Sequence, residues 1–133
     1  MTTEISISAF MGPETLPIQR ALEAGYFTDE GLNVRCEPAP GSIHQMVGLI
    51  DGMYDMAMTA VDNVIAYDEG QGGATPENAA DLVVLLGCAT DPRPLIARPD
   101  ISGFSDLKGE RIAVDAVNTG FSFLLRQWLE DQG

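Results

Sequence analysis

"ALEAGYFTDEGLNVRCEP", residues 21–38, changes period halfway through. Ala21 and Leu22 belong to a helical pattern that Gly25 stops, because glycine at a helix end adopts the left-handed conformation at no steric cost. Tyr26 and Phe27 follow, and Asp29, Glu30 and Gly31 form a turn. Leu32, Val34 and Cys36 then alternate with Asn33, Arg35 and Glu37, the two-residue period of a strand, until Pro38 ends it. Upstream, "EISISAF" at 4–10 sets Ile5, Ile7 and Ala9 on one strand face. Between the two strands Thr15 is expected to cap a helix that tolerates Pro17 in its first turn and turns Leu16, Ala21 and Leu22 inward. Strand, helix, strand is the first unit.

The same order repeats downstream. Ser42 to Gln45 reads as a capping box, and Ile43, Met46, Val47 and Ile50 follow one buried helical face that Gly52 ends. "DMAMTA" at 55–60 reads as a short strand, after which Asp62 or Asn63 caps a helix with Val64 and Ile65 inward. A glycine-rich connection at 70–80 leads to "LVVLLGC" at 82–88, whose lack of alternation predicts a strand covered on both faces. "PLIAR" at 94–98 and "RIAV" at 111–114 are further strand candidates, separated by the loop "GFSDLKGE". A final helix from about Thr119 places Phe121, Leu124, Leu125 and Trp128 on one face. Alternating strands and helices predict an α/β fold, a mostly parallel sheet with helices on both faces and right-handed crossovers.

The totals narrow the functional classes. A chain of 133 residues suits one small domain, and no apolar run approaches the ~20 residues that a membrane-spanning helix needs. Its formal net charge of -13 argues against nucleic acid or an anionic membrane surface as a partner, since the field of the chain repels both. Such acidity is otherwise a means to solubility. Cys36 and Cys88 read as buried thiols, although the sequence leaves their pairing open. His44 is the only histidine, so no histidine-based metal cluster can be built, and no cofactor or metal site is expected. Neither G-x-S-x-G nor a P-loop nor G-x-G-x-x-G after a strand occurs, and no catalytic residues emerge.

The order of the elements resembles a known family. "P…A…GYF..EGL.V" is met by Pro17, Ala21, Gly25 to Phe27, Glu30 to Leu32 and Val34. A Gly-Ser helix start follows at Gly41 and Ser42, then "G..D.A.T" at Gly52, Asp55, Ala57 and Thr59, and finally "DLKG..I.V" from Asp106 to Val114. This pattern resembles the amino-terminal part of ABC-transporter solute-binding proteins of the SsuA/THI5-like (NMT1/THI5-like) family, which have the type 2 periplasmic-binding-protein fold. The resemblance implies two lobes with a solute between them. Residues 1–102 would form the first lobe and 103–133 the start of the second, the chain being the amino-terminal fragment of a longer protein. It also implies a non-enzymatic protein that captures a small organic solute and delivers it to a membrane permease outside the cytoplasm. The alternative within the family is a cytoplasmic synthase of the thiamine pyrimidine, whose cysteine-rich run is not found here. "MTTEISISAF" carries no basic stretch followed by an apolar one, so no secretory signal is read there and the cytoplasm is the alternative location.

In open parallel sheets ligands bind beyond the carboxyl ends of the strands, where loops and helix N-termini converge. The residues expected there are Ser8, Phe10 and Met11 after the first strand, Ser42 and His44 after the second, Thr59, Asp62 and Asn63 after the third, and Asn118 and Thr119 at the last helix. Ser42 and Asp62 can equally serve as helix caps, His44 as a surface residue, and Phe10 and Phe121 as core. The solute's charge stays open: helix N-termini favour a sulfonate, carboxylate or nitrate, whereas Asp62 would oppose an anion.

Overall fold

The computed structural model describes residues 2–87, 94–114 and 116–132. Three parallel strands form one sheet in the order β2-β1-β3: β1 (Thr3–Ala9), β2 (Leu32–Pro38) and β3 (Met56–Met58). The intervening helices are α1 (Leu16–Glu23), the single turn α2 (Tyr26–Asp29), α3 (Ser42–Ile50) and α4 (Val61–Asp68). β1 is central, so the crossover to β2 and the crossover back to β3 run in opposite directions, and the right-handed rule for such connections would set α1 and α3 on opposite faces. The α/β architecture read from the strand and helix periods is therefore the observed one.

The opening stretch does what its composition dictates. Gly25 takes φ 78° and Gly31 φ 72°, both in the left-handed region that a side chain disfavours. Between them the chain makes one helical turn in which Phe27 is half-buried and Tyr26 exposed. Gly31 then accepts the Thr3 N–H at 3.0 Å, which opens the β1–β2 ladder and sets its register, Ile5 beside Val34 and Ile7 beside Cys36. The segment is a joint between a helix and a strand.

β3 is fastened by a second local device. Asp55 accepts the Ser6 N–H at 2.8 Å and the Ser6 hydroxyl at 2.7 Å, while its own N–H donates to Ser6 O at 3.1 Å. These Ser6 donors hold the Asp55 carboxyl below its ordinary range. α3 closes the other side: Met46 is fully buried, and Gly48 lies so close to Tyr54 that a Cβ would meet the ring at 2.8 Å. Ile7, Ala9, Val34, Met46, Tyr54 and Tyr67 form the buried apolar core.

Several helix ends differ from their sequence reading. Thr15 has helical dihedrals, and its hydroxyl donates backwards to Gly12 O at 2.7 Å and accepts from Gln19 at 3.1 Å, so it does not cap α1 with its side chain. Leu16 and Leu22 are exposed, because α1 presents no fully buried residue to the sheet. The predicted capping box at Ser42 and Gln45 is absent as such: Gly41 is the N-cap, Ser42 is already helical, and the Gln45 amide is drawn to strand carbonyls. Ala60, in extended conformation, precedes α4 in place of Asp62 or Asn63, and Ile65 points outward while Tyr67 is buried.

The larger correction concerns the second half. Residues 82–87, 94–98 and 111–114 carry no strand, and Val83 to Leu86 are all exposed, Leu86 at 83%. Cys88 lies outside the described residues. An apolar run becomes a central strand only when a neighbour supplies ladder partners and other elements cover both faces, and among the described residues neither is present. The final helix, α5 (Gly120–Gln132), forms as expected, but Phe121, Leu124 and Trp128 are exposed and Ser122 is its buried residue. A single 3-10 turn at Phe104–Leu107 occupies the "DLKG" region, where Asp106 accepts the backbone N–H groups of Ser102 and Gly103 at 2.8 and 3.2 Å.

Candidate functional site

Parallel strands end together, so Ala9, Pro38 and Met58 release their loops at one edge of the sheet. Gln45, in the first turn of α3, reaches this edge. Its amide nitrogen donates to Ser8 O at 3.0 Å and to Met58 O at 3.2 Å, bridging the carboxyl ends of β1 and β3. Gln45 and Ser8 are fully buried, yet Gln45 Oε1 and Ser8 Oγ have no hydrogen-bond partner. Buried polar atoms of this kind are costly and rare, and each calls for an explanation such as a bound water, an ion or a functional role.

Asp62 and Asn63 extend the edge along α4. Asn63 donates back to the Thr59 hydroxyl at 2.8 Å, which fixes the turn between β3 and α4. Asp62 accepts the Gly120 N–H at 2.7 Å and so joins the N-terminus of α4 to that of α5 across 58 residues of sequence. A Cβ on Gly120 would overlap the Asp62 carboxylate, so only glycine permits this approach. Thr119, nearly buried, closes the same helix end: its hydroxyl donates to Ala116 O at 3.2 Å and lies 3.5 Å from the Ser122 N–H.

The expected site residues thus divide. Ser8, Thr59, Asp62, Asn63 and Thr119 lie at the strand ends or on the helix N-termini joined there. Ser42 is buried at the first position of α3. His44 is exposed in the first turn of α3, its ring edge-on to Tyr54 with centroids 6.4 Å apart, a surface position. Phe10 and Met11 follow β1 and are exposed, as are Asn118 and Phe121, so Phe10 and Phe121 are not core. Gln45 and Gly120 escape sequence reasoning. A glutamine three residues after a serine reads as a cap, and only the fold shows that its amide crosses to two strands.

The loop after α4 covers part of this region. Gly72 packs on the Tyr67 ring and Gly73 on Ile43, at distances of 2.7 and 2.8 Å from where a Cβ would stand. Burial pushes the Tyr67 hydroxyl up in pKa, and the nearby amides of Ala74 and Gly73 pull it back without being aligned for a hydrogen bond. The free Cys36 thiol is half-buried, not in the core as the sequence suggested, and what burial it has raises its pKa, which disfavours a nucleophilic thiolate. Two open grooves of about 310 and 300 Å³ lie elsewhere, between Phe104 and the Trp128–Gln132 end of α5. Among the described residues no group of His, Cys, Asp or Glu could hold a metal ion, and no helix is long and apolar enough to cross a membrane.

The chain matches the NMT1/THI5 like family over residues 12–133, nearly its whole length, and belongs to that family. The family comprises ABC-transporter solute-binding proteins and synthases of the thiamine pyrimidine. No curated protein and no solved structure matches the chain.

Proposed function

We propose that this chain forms the first lobe, with the beginning of the second, of a solute-binding protein that holds a small organic molecule at the carboxyl ends of β1 and β3 and passes it to a membrane permease. One observation carries the reading: the Asp62–Gly120 hydrogen bond brings the N-terminus of α5 to the strand ends, where buried Ser8 and Gln45 keep unpartnered polar atoms. Residues 1–102 then belong to the first lobe and 103–133 to the second, with the Asp62 contact spanning them. Ser8, Thr59, Asp62, Asn63 and Thr119 would face the solute, Ser42 and His44 would flank it, and Phe10, Met11 and Asn118 would line the mouth. Binding requires no covalent chemistry, and closure of two lobes on a solute supplies contacts from both.

A thermal-shift screen of the protein against sulfonates, nitrate, aromatic carboxylates, amines and pyrimidines tests the proposal. A ligand that binds only the folded state stabilises it by about 2.7 kcal/mol at a hundredfold excess over Kd. At least one class should raise the melting temperature, and the shift should be lost when Asn63 or Thr119 is replaced by a bulkier residue. Turnover of a pyrimidine precursor in place of simple binding would overturn the proposal in favour of the synthase.

A further inference from the structure

Of the helix N-termini near the strand ends, that of α5 already holds a carboxylate of the protein, while that of α3 has no side-chain cap. Asp62 Oδ2 accepts the Gly120 N–H at 2.7 Å. Asp62 also lies in the first turn of α4. Each helix end offers roughly half a positive elementary charge, so one carboxylate cancels about the sum of the two. An incoming sulfonate or nitrate would find that field spent and would meet a negative charge instead.

The surrounding segments add no Lys or Arg, and of the two buried unpartnered atoms at the strand ends Ser8 Oγ can accept or donate while Gln45 Oε1 can only accept. Gln45 spends its amide nitrogen on Ser8 O and Met58 O and keeps a buried, unpartnered Oε1, an atom that can only accept. The segments 8–11, 41–44, 59–63 and 117–121 contain neither Lys nor Arg. Arg126 approaches one of them, but it donates to Val117 O at 2.9 Å and lies over the Phe123 ring, 5.7 Å from its centroid. The chain as a whole carries a formal charge of -13. Neither Asp62 alone nor a helix end alone would decide the matter; the occupied dipole and the buried orphan acceptor point the same way.

We infer that the solute offers N–H donors, as a protonated amine or an amidinium does, and that Asp62 is the residue that selects it against oxoanions. The inference rests on the strand ends being the solute crevice. The Asp62 oxygen not engaged by Gly120 receives the ligand's N–H, a charge-assisted hydrogen bond, and the same carboxylate acts as the repulsive element against anions.

Titration calorimetry and thermal shift with benzamidine, cyclohexylamine, ethanesulfonate, nitrate and benzoate provide the test, on the wild type and on two variants that each remove one negative charge from α4. Benzamidine or cyclohexylamine should bind the wild type while the three anions do not. Asp62→Asn, which keeps an acceptor for Gly120, should weaken the cation by about tenfold or more, in line with loss of a close charge pair. Asp68→Asn, exposed at the other end of the helix, should leave it unchanged, which separates a local partner from the general field. An anion that binds and shifts amide resonances at 59–63 would overturn the selectivity while leaving the crevice intact. Cation binding that both variants weaken equally, or neither weakens, would overturn the role of Asp62. Absence of binding by all five compounds would also overturn the inference, and if the broader solute screen then failed as well, the crevice reading would fall with it.

Discussion

Residues 3–68 and residues 82–132 have similar apolar content to the eye but opposite fates. In the first stretch β1 has a partner on each side, and Ile7, Ala9, Val34 and Met46 are buried between strands and helices. In the second, Val83 to Leu86, Ile96, Val117 and Trp128 are exposed, and the only buried residues described are Thr119 and Ser122, both polar. Hydrophobic pattern alone does not make a core. It becomes one where a neighbouring strand satisfies the backbone and a helix removes the side chains from water.

That contrast can be broken most sharply by making the same truncation on both sides of it. Met46→Ala should cost about 2–5 kcal/mol, because a fully buried side chain leaves a cavity, whereas Leu86→Ala should stay within about 0.5 kcal/mol. Urea denaturation of the two variants measures both. An equal loss would mean that 82–87 is packed in solution. Gly48→Ala comes next, at about 1–3 kcal/mol, since its Cβ would meet the Tyr54 ring at 2.8 Å and neither α3 nor the ring can yield freely.

Gln45→Met sharpens the site side of the comparison. It removes the donor shared by Ser8 O and Met58 O and should cost about 1–3 kcal/mol, toward the lower end because the unpartnered Oε1 leaves with it. Hydrogen exchange at Met56–Met58 should rise in this variant while exchange at Thr3–Ile5 does not. The smallest effect concerns Asp55. Its folded pKa is depressed by Ser6, so its stabilising contribution is complete above the ordinary value of 3.8 and is lost as pH falls through that value to the folded one. Asp55→Asn should therefore melt lower than the wild type at neutral pH, and the gap should close in acid. A gap that stayed constant as the pH fell from neutral through the ordinary value of 3.8 and below would place the effect in packing.

The legible part of the fold was the part governed by local rules. Gly25 and Gly31 mark left-handed turns whatever surrounds them, and the alternation from Leu32 to Glu37 specifies a strand whose register Gly31 then sets. Helix caps were less legible: Thr15 and Gln45 are common cap types, but their side chains can be drawn to nearer or better partners, Gly12 O in one case and two strand carbonyls in the other. Of the candidate site, Asp62 and Thr119 stood out as polar residues at helix starts, but not as neighbours. Gly120 had no signal, because its glycine is required by a carboxylate that arrives from 58 residues away.

By itself the sequence determined the succession of strands and helices around β1, the turns at glycine, and a family pattern that runs through most of the chain, since each depends on backbone sterics or on periods within a few residues. Tertiary structure decided the rest: that Gln45 ties two strand ends, that Asp62 fills the N-terminus of α5, and that the apolar run after residue 82 stays uncovered. These are long-range facts, set by which surfaces find a partner, and no local pattern encodes that.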